Sequence, residues 1–410
     1  MFRLIRGADC YWAVGQRRIA RVPLDSVTED GVLTPMQAER VRSADLSPVI
    51  DHGVYHMTVL VTTSCNLACS YCFQNTAPAD LSLRRPPERI PAAALDDDAA
   101  AAILAFCERQ MTGRGATKLD LMLFGGEPTL YLRQCLNLLA GAAKIGLVHA
   151  GMISNATRLG PAAAIALEQA GLRSVQVTLD GDAPVHDRIR VTRGGRGTFE
   201  QIMRNLERVA ARTSLRFMLR VNLTGESMDS AWELVDRLAT RLDPARFGIG
   251  FARVNDAGPE FADTIEMSAA QAHVIGKLYK HALDTGFRVG LPTLKPCIAC
   301  GVVGGGTGSV VNADGTLYSC WESAGKEGYE VGTVADGYLA DEVIAPRWVS
   351  CGFSGSNPPG TPAFDAFRDV VSADILDWMY DSGRLQRGFA AARGPADDRT
   401  QEASAATSVG

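Results

Sequence analysis

The chain has 410 residues, 46% of them hydrophobic, and carries a formal net charge of −5. That length buries a large core and suits one main domain with smaller attachments, while the mild acidity gives no electrostatic case for nucleic acid binding. No apolar run reaches the length of a membrane span, and residues 1–6 lack the apolar core of a signal peptide, so no membrane partner and a cytoplasmic location are expected.

Residues 1–50 read as a short β-rich segment, with strand-like stretches at 10–14 and 18–22 around the turn-like Gly15-Gln16. It would cap the bottom of a barrel or pair with a partner peptide. From about residue 55 the pattern changes. Candidate strands at 58–61, 119–124, 147–153, 174–179, 216–223 and 247–253 alternate with helical periodicity at 97–111, 131–145, 161–169, 198–211 and 228–242. Strict alternation predicts an α/β fold with a parallel sheet and right-handed crossovers. About six units fit a partial (β/α)6 barrel, with its functional groups at the carboxyl ends of the strands. Residues 75–94, rich in Pro, Ala and Arg, read as a surface excursion beside that end. One more amphipathic helix is expected at 267–285, and past residue 391 the small, polar composition suggests disorder.

Of ten cysteines, Cys107 and Cys135 fall in helical apolar patterns and read as core residues, and Cys10 fits no pattern. Cys65, Cys69 and Cys72 follow the first barrel strand at CxxxCxxC spacing, on a loop where three thiolates can converge. A 4Fe-4S cube normally takes four cysteines, so three leave one iron open. A zinc site would pair two knuckles or add histidine, and neither His52 nor His56 has that spacing. One strand later an apolar run breaks into Gly125-Gly126-Glu127-Pro128, where glycines permit close approach to the backbone and a carboxylate can meet an amine.

Together these two strings, with Tyr71 before the third cysteine, resemble the radical SAM superfamily. The resemblance implies that the open iron chelates the amino and carboxylate groups of S-adenosylmethionine, and that an electron from the reduced cluster releases a 5′-deoxyadenosyl radical. A flavodoxin- or ferredoxin-type donor would supply the electron. It also implies that Gly125, Gly126, Glu127 and Pro128 line the methionyl amine. Ser154-Asn155-Ala156 stands where the family tends to carry T-N-G, with Asn155 as a ribose or cluster-side group and alanine in the glycine's place. Thr178-Leu179-Asp180-Gly181 followed by His186-Asp187 and Arg190 resembles the S-x-D-G…H-D-x-x-R string of peptide-modifying members. Arg190 is the expected cation for the S-adenosylmethionine carboxylate; a solvated arginine at a helix start is the plainer reading.

The second set is Cys297, Cys300, Cys320 and Cys351. Asp314-Gly315 is a hairpin signal that would return Cys320 close to Cys300. The set resembles the opening of the SPASM and twitch extensions, without the later CxxCxxxxxCxxxC block, and so implies one auxiliary 4Fe-4S cluster on these four thiols. A structural zinc ribbon on the same residues competes. The expected division is a leader at 1–50, a barrel at 51–265, an auxiliary-cluster domain at 266–390 and a tail at 391–410. By resemblance the activity would be maturation of a ribosomally made precursor peptide, closing a thioether or carbon–carbon crosslink. The alternatives are a sulfatase-type formylglycine maturase, a dehydrogenase or epimerase of a sugar or aminocyclitol, and a non-catalytic iron–sulfur carrier, which would need no such nucleotide pocket. Sulfatase-type enzymes carry an aspartate right after the hairpin cysteine; here Trp321-Glu322 takes that place. Glu322 is the candidate base, set against an exposed strand-end glutamate.

Overall fold

The computed structural model describes residues 3–15, 19–43, 53–76, 88–254, 261–290, 307–347 and 361–385. Strands β1 (Arg3–Arg6), β2 (Cys10–Val14) and β3 (Ile19–Pro23) form a small antiparallel sheet, followed by helix α1 (Pro35–Ser43). Alternation along β2 divides its side chains between two faces. Cys10, Trp12 and Val14 pack with Ile5, Ala373 and Leu376, while Ala13 packs with Val22 and Val41.

The main sheet has a parallel run of β4 (Val54–Thr62), β5 (Lys118–Gly125), β6 (Leu147–Ser154), β7 (Ser174–Leu179), β8 (Arg216–Leu223), β9 (Phe247–Arg253) and β10 (Arg288–Val289), adjacent in that order. All six predicted barrel strands are present. Between them run α2 (Asp97–Arg114), α3 (Leu132–Lys144), α4 (Pro161–Gln169), α5 (Ala183–Ile189), α6 (Phe199–Ala210), α7 (Ser230–Arg241) and α8 (Ala269–Asp284). Alternate residues of each strand, such as Val59, Leu121, Val175 and Leu219, face the helices in one continuous core. The intervening side chains point into the barrel, where Leu60, Phe124, Val310 and Tyr318 form a separate apolar cluster. The fold is therefore α/β with a mostly parallel sheet.

Two features depart from the sequence pattern. The helix expected at 267–285 and the short β10 continue the parallel order, and β11 (Gly308–Val311) pairs parallel with β4 at the opposite edge. Then β12 (Thr316–Tyr318), β13 (Glu330–Thr333) and β14 (Gly337–Tyr338) add in antiparallel fashion, so the hairpin region extends the same sheet. After the short α9 (Asp341–Ile344), helix α10 (Thr361–Asp381), which no pattern singled out, packs on α8 and β1. Arg3 joins it through Asp365 at 3.0 Å and Asp369 at 2.6 Å, and Trp12 Nε1 donates to Asp377 at 2.7 Å. No described helix is long and apolar enough to cross a membrane.

Candidate active site

Cys65, Cys69 and Cys72 lie on the irregular loop that leaves the carboxyl end of β4. Backbone N–H groups of Gly126 and Glu127 donate to Thr62 and Ser64 carbonyls at 2.7 and 3.0 Å, and Ala68 N–H donates to Val191 at 2.9 Å. Asn75 Nδ2 donates to the carbonyls of Cys69 and Ser70, both at 3.1 Å. A Cβ on Gly125 would collide with the Thr62 carbonyl and one on Gly126 with the Ser64 carbonyl, and Gly125 has φ +132°. Sequence reasoning gave these glycines to an approaching ligand; the structure shows that they also admit the cysteine loop itself.

Glu127 is fully buried. Its Oε1 accepts from Thr129 N at 3.1 Å, Thr129 Oγ1 at 2.5 Å and Ser154 Oγ at 2.8 Å, and its Oε2 accepts from Asn155 N at 2.7 Å. Burial raises its pKa despite those bonds. The carboxylate thus ties β5 to the end of β6. Through Asn155 it reaches the cysteine loop: Asn155 Nδ2 ends 3.0 Å from Asn66 Oδ1 and 3.8 Å from Cys65 Sγ. Pro128 is buried and opens the next turn, for which Glu127 is the cap. Ala156 adopts φ +57°, the left-handed region that the absent glycine would enter freely.

A second cluster centres on Tyr71. Its hydroxyl donates to Asp180 Oδ2 at 2.5 Å and accepts from Arg190 Nη1 at 2.7 Å and Asn222 Nδ2 at 3.0 Å. Arg190 also lies 3.6 Å from Asp180, so the cation expected to face a free carboxylate is turned onto these two residues. Tyr71 is 119 positions from Arg190, and no spacing rule could pair them. Asp180 Oδ1 and Arg190 Nε nevertheless remain buried without a partner. His186 and Asp187 build the scaffold: the His186 ring sits behind Asp180 N–H at 3.4 Å, and Asp187 Oδ1 accepts from Thr198 and Phe199 at 2.6 and 2.8 Å to start α6. Burial pushes the His186 pKa well down, leaving a neutral ring. Thr178 is buried on β7.

The three thiols lie within electrostatic reach of one another. Burial raises the pKa of Cys65 and pushes that of Cys69 up to about 12, with Arg190 opposing the latter. Arg89 Nη1 lies 3.5 Å from Cys72 Sγ, an arginine that no motif flagged. Among the described residues no three His, Cys, Asp or Glu are gathered for a single metal ion. Cys107 and Cys135 are buried core residues, as is Cys10 in the small sheet.

Of the second set, Cys297, Cys300 and Cys351 lie outside the described residues. Cys320 is buried just after β12. The predicted hairpin is present, with Gly315 N–H donating to Asn312 at 2.9 Å. Beyond it the Trp321 ring comes within 6.0 Å of Phe124, which stacks on Phe73 at 6.0 Å. This aromatic row joins the cysteine loop to the Cys320 turn, and sequence reasoning missed it because its members are spread over three segments. Glu322 is partly buried, with its backbone N–H on Cys320 Sγ at 3.5 Å and its carboxylate within electrostatic reach of Arg220.

Residues 59–238 match the family model described as Radical SAM superfamily. No curated protein sequence matches the chain. Among solved structures, native anSMEcpe with bound AdoMet aligns with TM-score 0.59 at 14% identity, over 80% of this chain and 100% of that one. The same protein with bound AdoMet and Cp18Cys peptide gives TM-score 0.57 at 15% identity, over 80% and 99%. Streptococcus suis SuiB bound to S-adenosylmethionine aligns with TM-score 0.46 at 14% identity, over 84% and 76%. With its CxxxCxxC loop at the carboxyl end of the first barrel strand, the stretch 59–238 is a radical SAM domain and the protein is a radical SAM enzyme.

Proposed function

We propose that this enzyme modifies a ribosomally made precursor peptide, abstracting hydrogen from it and closing a thioether or carbon–carbon crosslink. The carrying observation is the barrel interior between β8 and the Cys320 turn. The Glu322 carboxylate is within electrostatic reach of Arg220, and a Cβ on Gly250, the register neighbour of Arg220, would meet no atom of the described residues within 4 Å. An electron carrier has no use for a charged pair set inside the barrel. The anSMEcpe structure with bound Cp18Cys peptide lends support at the level of the fold, and keeps a sulfatase-type maturase as the second reading.

The residues at the cysteine loop fit the groups that the family implies. The half-buried Cys65 and Cys69, whose pKa values desolvation raises, favour the thiol unless a metal takes the proton's place. Unpartnered Asp180 Oδ1, Arg190 Nε and Arg89 Nε suit a ligand bearing both an ammonium and a carboxylate. Cys65, Cys69 and Cys72 would hold a 4Fe-4S cluster, with Tyr71, Asp180 and Arg190 toward the amino-acid part of S-adenosylmethionine and Ser154, Asn155 and Thr178 nearby. When bound, cluster and S-adenosylmethionine supply a 5′-deoxyadenosyl radical. Phe73, Phe124 and Trp321 screen the barrel interior from water, and Glu322 takes a proton from the substrate. Cys297, Cys300, Cys320 and Cys351 would carry one auxiliary cluster, which would take up the electron left on the substrate once its hydrogen atom and proton are gone, giving about eight irons in the reconstituted protein; four irons with one zinc would establish the zinc ribbon instead.

The test is Glu322→Gln on an anaerobically reconstituted enzyme co-expressed with candidate precursor peptides. Parent protein should yield a peptide lighter by two hydrogens. The variant should keep its iron and its substrate-free release of 5′-deoxyadenosine, while product formation falls about 100-fold to 10,000-fold. Unchanged product yield would make Glu322 a bystander, and a formylglycine product would establish the second reading.

A further inference from the structure

Strand register sets Thr178 of β7, Arg220 of β8 and Gly250 of β9 side by side. All three point into the barrel, because their neighbours Val177, Leu219, Val221 and Ile249 belong to the helix-facing core. Asp180 and Asn222 stand two residues further toward the carboxyl ends, so Arg220 lies about 7 Å deeper than the Tyr71 cluster.

Arg220 Nε donates to Asn222 Oδ1 at 2.8 Å, which fixes the plane of the guanidinium. Its terminal amino groups make no hydrogen bond or ion pair among the described residues. A Cβ added at Gly250 would meet no atom of the described residues within 4 Å, so among them the row opens into space beside those donors. Burial holds the Arg220 pKa below its ordinary value, with Tyr71, Glu322, Tyr279 and Asp180 opposing from a distance. A guanidinium that is partly desolvated, oriented by its neighbour and lacking a carboxylate in contact is one prepared half of a bidentate pair.

We propose that Arg220 anchors a carboxylate of the substrate in the space beside Gly250. The proposal rests on the reading of the chain as a peptide-modifying radical SAM enzyme, and it narrows the substrate to one that brings an anion into the barrel. The carboxylate of S-adenosylmethionine is the less suitable occupant, because Arg190, not Arg220, is the guanidinium bonded into the cysteine loop, through Tyr71 at 2.7 Å. Arg220 lies one row deeper, and Glu322 is within electrostatic reach of it. The anchored group is an aspartate or glutamate side chain or a chain-terminal carboxylate.

The experiment uses the reconstituted protein saturated with S-adenosylmethionine and three pools of short synthetic peptides, followed by calorimetry. One pool is blocked at both ends and carries an acidic side chain. The second has a free carboxyl terminus and no acidic side chain. The third is blocked and neutral. At least one carboxylate pool should bind where the neutral pool does not, and which one binds identifies the source. Arg220→Gln should weaken that binding tenfold or more and Arg220→Lys should weaken it less, both with parental iron content and substrate-free 5′-deoxyadenosine release. Equal binding of the neutral pool, no binding of either carboxylate pool, or unchanged binding by Arg220→Gln overturns the proposal. So does weakened S-adenosylmethionine binding in Arg220→Gln, which would assign the arginine to that ligand. If Arg220→Gln loses iron, the lysine variant decides, since binding equal to the parent's there rules out the planar fork. A parent protein that cannot cleave S-adenosylmethionine would sink the enzymatic reading, while carboxylate binding would still be measured.

Discussion

The barrel holds a polar cluster at each end of its sheet, and the two are finished differently. At the amino end His56 Nδ1 lies 3.0 Å and His149 Nδ1 2.9 Å from the Asp120 carboxylate, and His149 Nε2 meets Ser174 Oγ at 3.1 Å. An ionised carboxylate only accepts, so both rings carry their proton on Nδ1. No buried side-chain atom of this group lacks a partner. At the carboxyl end Tyr71, Asp180, Arg190 and Asn222 are equally well knit, yet Asp180 Oδ1 and Arg190 Nε stay unpaired. A closed network serves stability; an open one of the same materials reserves its last donors and acceptors for a ligand.

The difference can be broken from the open end with the largest effect. Replacing Cys65, Cys69 and Cys72 together by alanine should abolish 5′-deoxyadenosine release and remove about four irons, while thermal unfolding of the iron-free form shifts little. Residual cleavage of S-adenosylmethionine by this variant would refute the assignment of the loop.

Breaking the closed end should do the reverse. Burial alone would raise the Asp120 pKa, but the hydrogen bonds from His149 and His56 outweigh it and hold it down to about 2. A carboxylate depressed in the folded state stabilises above its unfolded value of about 3.8 and loses that contribution as pH falls through about 2. The window is therefore pH 4 to 2, and the contribution is about 2 kcal/mol. Asp120→Ala should lower unfolding stability at neutral pH by about 2 to 3 kcal/mol and flatten its acid dependence in that window, with substrate-free cleavage per folded molecule unchanged. A loss of activity without a loss of stability would show that the two ends are not separate.

Tyr71→Phe sharpens the comparison. It strips Asp180, Arg190 and Asn222 of a shared partner without emptying the space, and should slow cleavage about tenfold for a stability loss of about 1 kcal/mol. An effect on stability alone would make the open cluster another brace. The smallest effect belongs to Ala156→Gly: relief of the left-handed backbone gains about 1 kcal/mol and loss of a buried methyl costs about 0.8 kcal/mol. Denaturant midpoints should nearly coincide, and a shift beyond about 1 kcal/mol in either direction would show that one of these two terms is misjudged.

Much of the barrel was legible because its strands are apolar runs that alternate with helical periodicity, signals local to each segment. The cysteine loop was legible through spacing alone. Arg190 was found by its motif but not its partners, since contacts with Tyr71 and Asp180 depend on how three loops meet. The contact of Gly125 and Gly126 with the cysteine loop was missed for the same reason: a glycine announces a close approach without naming everything that approaches. Arg220 and Gly250 carry no motif at all, and only strand register brings them together. The row of Phe73, Phe124 and Trp321 was likewise beyond local pattern.

The small sheet at the start of the chain is completed by α10, with Trp12 bonded to Asp377, 365 positions later. At a synthesis rate of about 5–20 residues per second, that gap corresponds to about 20–70 s. For that time the apolar face of Ile5, Trp12 and Val14 has no lid, although the barrel strands between are already free to pair. The barrel can thus take shape on the ribosome before the two ends of its chain have met, and the small sheet is among the last parts to close.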